Sequence, residues 1–227
     1  MTAPAAIPSR PAAVEPTDYA AIYDRIIAGE TRYQRAEGSP GLRVCLTNTA
    51  RLRAMSGPAL DVGCGVGFAA EYLSRHMPWG VARSGAMRSG VEGGTLHGVY
   101  ACDVSAVAVE HAGRRLGTDR VRAIRGGEVP FPDRAFGLVT CFDVMEHLDE
   151  PDVFSLVAEL RRVARPGGWI VASVSLRPAQ AVDHHGTNAH RTVRPIQWWI
   201  DAFDPDEASV DCRAAEAVLW RRIGSEG

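Results

Sequence analysis

The sequence has no lysine, no apolar run approaching the ~18 residues of a membrane span, and almost no excess charge. All 25 of its basic residues are arginine, a bias that reads as the composition of a GC-rich coding sequence and carries no functional reading. Against them stand 27 acidic residues, for a formal net charge of −2; this balance excludes a broad nucleic-acid surface and argues against a nucleic-acid partner. The N-terminus lacks the charged-then-apolar order of a signal peptide, so neither export nor insertion into a membrane is expected. The five cysteines (Cys45, Cys64, Cys102, Cys141, Cys212) are odd in number and widely scattered. A disulfide framework is thereby excluded, and reduced buried thiols in a cytoplasmic protein are expected. Repeats are missing too. A chain of 227 residues, 46% hydrophobic and 23% charged, can bury a sizeable core as one α/β unit.

What the chain does have is Leu60-Asp61-Val62-Gly63-Cys64-Gly65-Val66-Gly67, a short apolar run ending in three alternate glycines and followed by an amphipathic run over 68–77. The pattern predicts strand, tight turn and helix. A glycine turn lets the backbone approach a ligand where a Cβ would collide, and the helix behind it begins with unpaired N–H groups and a positive dipole end. That geometry suits a nucleotide-like ligand. The same residues would also serve a plain βα turn that needs glycine for close packing.

Residues 1–16 are rich in alanine and proline without periodicity and are expected to form a flexible tail. Asp18 offers a cap for a helix carrying Tyr19, Ile22, Tyr23, Ile26 and Ile27 on one face, and a second helix is expected over 42–55. Residues 17–56 thus read as a helical lid, and 57–227 as the main domain. The stretch 78–98 contains six glycines and promises little regular structure. Together with the polar segment around Tyr33, it is expected to become ordered when a ligand binds.

A second strand ends in Asp103, with Ser105 placed to cap a helix over 106–116. A carboxylate at that strand end can accept both hydroxyls of a ribose; its plain alternative is charge complementation of the helix N-terminus. Asp103 follows Asp61 by 42 residues, about twice the usual spacing of ~20, and the glycine-rich stretch accounts for the excess. Downstream come Pro130-Phe131-Pro132-Asp133, then Asp143-Val144-Met145-Glu146-His147-Leu148 after an apolar strand, then Arg165-Pro166-Gly167-Gly168.

This ordered set, from 58 to 175, resembles the class I S-adenosylmethionine-dependent methyltransferases. The resemblance implies a Rossmann-like, seven-stranded, mostly parallel sheet with helices on both faces and an antiparallel C-terminal edge hairpin, here 208–213 and 216–222. It also implies a cofactor site of Asp61, Gly63, Gly65, Gly67, Asp103, Glu128 and Phe142. Two departures stand out: Gly127 occupies the position of an acid that contacts adenine, which passes that role to Glu128 or to backbone groups, and Gly137 replaces a usual aspartate.

Methyl transfer is a displacement from an already activated sulfonium, so the protein must align the reactants and, for a hydroxyl, remove a proton. Four of the seven histidines (His147, His184, His185, His190) fall in loops after the fourth and fifth strands, where open α/β sheets bind ligands. His147, His190 and His185 are the candidate bases; a helix-start histidine without catalytic duty is the plain alternative for His147. The expected reaction is methyl transfer to an oxygen or nitrogen of a small molecule, such as a sugar-containing or specialised metabolite, without a metal. In a second reading Asp143, Glu146, His147 and a later histidine hold a divalent metal that binds a hydroxyl pair. This pattern resembles metal-dependent methyltransferases acting on RNA 3′ ends or quinone-like acceptors. A noncatalytic S-adenosylmethionine-binding protein is the third.

Overall fold

The computed structural model describes residues 18–29, 34–78, 96–180, 182 and 186–224. The 1–16 tail, most of the 78–97 stretch, Tyr33, His184 and His185 lie outside the described residues, so the expectations attached to them are not addressed by the fold.

Seven strands form one sheet: β1 (Ala59–Val62), β2 (Val99–Asp103), β3 (Val121–Ala123), β4 (Phe136–Phe142), β5 (Ala164–Ser175), β6 (Glu207–Asp211) and β7 (Glu216–Arg222), in the order β3-β2-β1-β4-β5-β7-β6. The first five are parallel, and β7 joins β5 antiparallel with β6 outside it. The sheet order reverses at β1 and β4, the switch point at whose carboxyl ends open α/β folds bind ligands. Every residue of β1 and β4 is buried. Alternate positions feed two cores: Leu60, Val62, Val139 and Cys141 face one, and Ala59, Leu138 and Phe142 face the other. Helices α6 (Glu150–Val163) and α7 (Ile196–Phe203) cover the first core, while α4 (Phe68–His76) and α5 (Ala106–Leu116) cover the second.

The N-terminal segment forms α1 (Tyr19–Gly29), α2 (Pro40–Thr47) and α3 (Thr49–Arg53). The single helix expected over 42–55 is thus two. At the break, the Asn48 amide donates to the Val44 carbonyl at 2.9 Å, and the Thr47 and Thr49 hydroxyls donate to carbonyls three and four residues back. Such bonds compete with the helical ladder. Ser39 starts α2 by accepting the Leu42 N–H, with Pro40 at the first helical position.

Two features of the sequence have structural roles. The loop carrying Pro130 to Asp133 is fastened to α6 by Arg162, which donates to the carbonyls of Val129 and Phe131 and to Asp133 and Glu159. Gly137 also has a physical reason: a Cβ there would lie 2.0 Å from the Ser56 carbonyl oxygen, so no side chain fits between β4 and the residue pair leading into β1. Gly137→Ala is expected to cost about 3 kcal/mol through overpacking, a fall of roughly 6–12 °C in Tm. Scanning calorimetry measures it, and an unchanged Tm would contradict that contact.

Candidate active site

The carboxyl ends of β1, β2, β4 and β5 converge on a cavity of about 940 Å³ whose wall also includes residues of α1 and α2. Antiparallel β7 begins at the same edge, with Glu216 paired to Ser175.

At β1, Gly63 and Gly65 both have left-handed backbones, φ +70° and +52°, a region glycine enters without steric cost. Their surroundings differ. A Cβ on Gly63 would lie 2.3 Å from Val144 Cγ2, because the turns after β1 and β4 touch there, whereas a Cβ on Gly65 would meet nothing within 4 Å. Gly65 therefore presents bare backbone to the cavity, and its N–H donates to Asp103 Oδ2 at 2.8 Å. Gly67 does not belong to this wall. Its missing Cβ makes room for Ala112, 3.0 Å away in α5, which gives it a packing role between α4 and α5.

Asp103 is buried at the end of β2, with Oδ1 accepting the Ser105 N–H at 2.9 Å. Burial raises its pKa, opposed by the N–H groups of Ser105 and Gly65. Two backbone donors hold the carboxylate while its remaining lone pairs face the cavity, the arrangement a pair of ribose hydroxyls requires. Asp61, 2% exposed, accepts the Thr140 hydroxyl at 2.7 Å; burial pushes its pKa up to about 7 despite that bond. Its charge is costly until a cation arrives. Phe142 lines the wall beside Gly41. Glu128 does not: it is exposed and bridges back to Arg125, and the wall there consists of Ile124, Gly126 and Gly127.

The histidines meet on the same cavity. His147 lies on a 3-10 turn (Met145–His147) after β4 and donates from Nδ1 to the Ala189 carbonyl at 2.9 Å. His190 donates from Nδ1 to the Arg177 carbonyl at 2.6 Å. A carbonyl can only accept, so each neutral ring carries its lone pair on Nε2. The rings pack edge to face with centroids 4.7 Å apart, and Tyr23 of α1 stands 5.4 Å from His147. Burial and then the neighbouring His190 lower the His147 pKa to about 4. The loop is pinned by the Thr192 N–H to the Glu146 carbonyl at 2.9 Å, and by Arg191 to Asp149.

Glu146, next to His147, is fully buried. Oε1 accepts the Ser175 N–H at 2.8 Å, but Oε2 has no partner among the described residues. Burial, and then Asp143, raise its pKa well above the usual carboxylate range. One ligand atom each from Glu146, His147 and His190 lies within 4.8 Å of the others. One carboxylate and two imidazoles suit several divalent ions. Asp143 falls outside this trio; it accepts the Ser173 hydroxyl at 3.2 Å from a left-handed backbone of φ 52°.

The sequence reading missed the N-terminal contributions. Tyr19 of α1 accepts the Asp149 N–H at 3.0 Å and donates to Asp152 at 2.8 Å, and Asp24 accepts from the Ser105 hydroxyl at 2.5 Å and the Val107 N–H at 3.2 Å. Arg43 of α2 forms an ion pair with Glu216 of β7. Only the buried acid in an otherwise apolar strand, Glu216, could have hinted at that pair.

A family model described as a methyltransferase domain matches residues 80–172. A probable chloroplastic tocopherol O-methyltransferase of Oryza sativa subsp. japonica is 32% identical over 160 residues, covering 70% of this chain and 35% of that protein. A ubiquinone biosynthesis O-methyltransferase of Paracidovorax citrulli is 26% identical over 175 residues, covering 74% and 66%. The chain thus spans between about a third and two thirds of the length of these curated relatives. A solved methyltransferase from Aquifex aeolicus, described as SAM dependent, superposes with a TM-score of 0.53 at 20% identity, covering 78% of this chain and 88% of that one. No helix among the described residues is long and apolar enough to cross a membrane.

Proposed function

We propose that the chain is a class I S-adenosylmethionine-dependent methyltransferase, the reading that the matched methyltransferase domain and the similar proteins support, and that it methylates a hydroxyl oxygen of a small molecule in the cytoplasm. The observation that carries this reading is the single cavity walled both by the Gly65–Asp103 pair and by the His147–His190 pair. The bound cofactor supplies an electrophilic methyl group on sulfur. Asp103 receives the ribose, the bare turn at Gly65 admits the nucleoside, and the Asp61 carboxylate, held by the Thr140 hydroxyl, faces the positive charge that enters. Helices α1 and α2 cover the site and exclude water. As the O–C bond forms and the C–S bond breaks, His147 Nε2 accepts the hydroxyl proton.

The pKa of His147 narrows the acceptor. A ring held at about 4 keeps its lone pair at ordinary pH but holds a proton weakly, so it serves an acidic hydroxyl such as a phenol, with a pKa of about 10, far better than a sugar alcohol. The curated relatives, both O-methyltransferases by description, support oxygen over nitrogen.

A second reading rests on the orphaned Glu146 Oε2: with His147 and His190 it would hold a divalent ion, which would acidify a hydroxyl pair.

Calorimetry tests the first reading. S-adenosylhomocysteine should bind the parent, and Asp103→Ala should weaken it about 30-fold, since hydrogen bonds to a charged group are worth about 1.5–3 kcal/mol. Transfer of a labelled methyl group to a phenol panel then separates an enzyme from a binding protein. Unaltered affinity in the variant would refute the placement of the nucleoside.

A further inference from the structure

Two arginines line the cavity, and they are not equivalent. Arg43 is taken up by its ion pair with Glu216. The guanidinium of Arg177 makes no hydrogen bond or ion pair with any described residue, although the backbone of Arg177 is fastened in place. Its carbonyl accepts from His190 Nδ1 at 2.6 Å and from the Ser175 hydroxyl at 3.3 Å, and Pro178 follows it. A residue before proline is held in an extended conformation. The peptide that orients His190 therefore also carries a planar five-donor cation on the same wall.

We propose that the acceptor carries a carboxylate and that Arg177 binds it, which sets the hydroxyl against the His147–His190 pair. This inference rests on the methyltransferase reading above and adds the acceptor's charge to it. A fixed backbone with a free guanidinium suits bidentate recognition of a carboxylate. The rest of the wall selects a single negative charge. Asp143 and Glu216 stand at the same end, with Asp143 in electrostatic reach of Arg43 and Arg177. A doubly charged phosphate would meet more repulsion there than one unpaired arginine relieves.

The test uses the full chain saturated with S-adenosylhomocysteine and two matched probes, 3,4-dihydroxybenzoate and catechol, titrated calorimetrically. The parent should bind the benzoate at least about tenfold more tightly than catechol, as one charge-assisted bidentate pair requires. Arg177→Ala should erase that preference without changing catechol binding, and Arg177→Lys should restore part of it. Equal binding of the two probes by the parent, or no binding of either, would overturn the proposal. So would an Arg177→Ala variant whose affinity for S-adenosylhomocysteine itself falls, because the guanidinium would then serve the carboxylate of the cofactor. Failure of the parent to bind S-adenosylhomocysteine would instead remove the methyltransferase reading underneath.

Discussion

Replacing Gly65 by arginine should abolish S-adenosylmethionine binding, with a loss of more than about 100-fold, while leaving a folded protein. Space decides the sign of this effect. The Cβ direction at Gly65 is open, with no atom within 4 Å, so the new side chain extends into the volume assigned to the nucleoside instead of clashing with the protein. The remaining cost is a non-glycine residue at φ +52°, on the order of 1–3 kcal/mol, or roughly 2–12 °C in Tm for a chain of this size. Calorimetric titration with circular dichroism on the same samples measures both. Gly63→Arg is the wrong variant for this purpose, since its Cβ would strike Val144 at 2.3 Å and damage the fold itself. Normal affinity in Gly65→Arg would mean that the cofactor lies elsewhere.

His147→Ala should lower turnover by about 10²–10⁴, the usual range for removing a positioned acid–base group, with cofactor affinity within about twofold of the parent. The pH profile adds a signature. The folded pKa of about 4 lies below the unfolded value of about 6.5, so the unfolded chain binds the extra proton in that interval. Stability contributed by the neutral ring is complete above pH ~6.5 and is lost as pH falls towards 4. The acid limb of kcat/KM should likewise fall near pH 4 instead of near 6.5, and should be missing from whatever activity His147→Ala retains. Elemental analysis on the same preparations separates the two readings. Turnover lost together with one equivalent of bound metal assigns His147 to the trio with Glu146 and His190; turnover lost without any metal assigns it to proton removal. Unchanged turnover would leave the ring a packing group against Tyr23.

The parts of this site legible from sequence are those that local chemistry dictates. Alternate glycines after an apolar strand announce a tight turn into a helix, and Ser105 announces its helix through the cap it makes with the Ala108 N–H. Asp103 and His147 stand out as candidates because they sit where strands end. Side-chain direction was not legible. Gly67 and Glu128 belong to recognised motifs, yet one packs against α5 and the other faces solvent, as only the tertiary contacts and the shortness of the 124–128 loop decide. Long-range pairs were equally hidden: Arg43 and Glu216 are 173 residues apart, and Tyr19 and Asp149 are 130 apart. The reason for glycine at 137 lies in the Ser56 carbonyl, which occupies the space of its missing side chain and is invisible to any local pattern.

The bond from Arg43 to Glu216 also sets a timetable for the growing chain. Domains form from the N-terminus as synthesis proceeds at about 5–20 residues per second, but α2 cannot make this contact until β7 has been translated and added beside β5. Helices α1 and α2 are thus made well before the residues that tie them down, with Tyr19 waiting for Asp149 and Arg43 waiting for Glu216. Over the 173 residues that separate Arg43 from Glu216, that wait is roughly ten seconds or more.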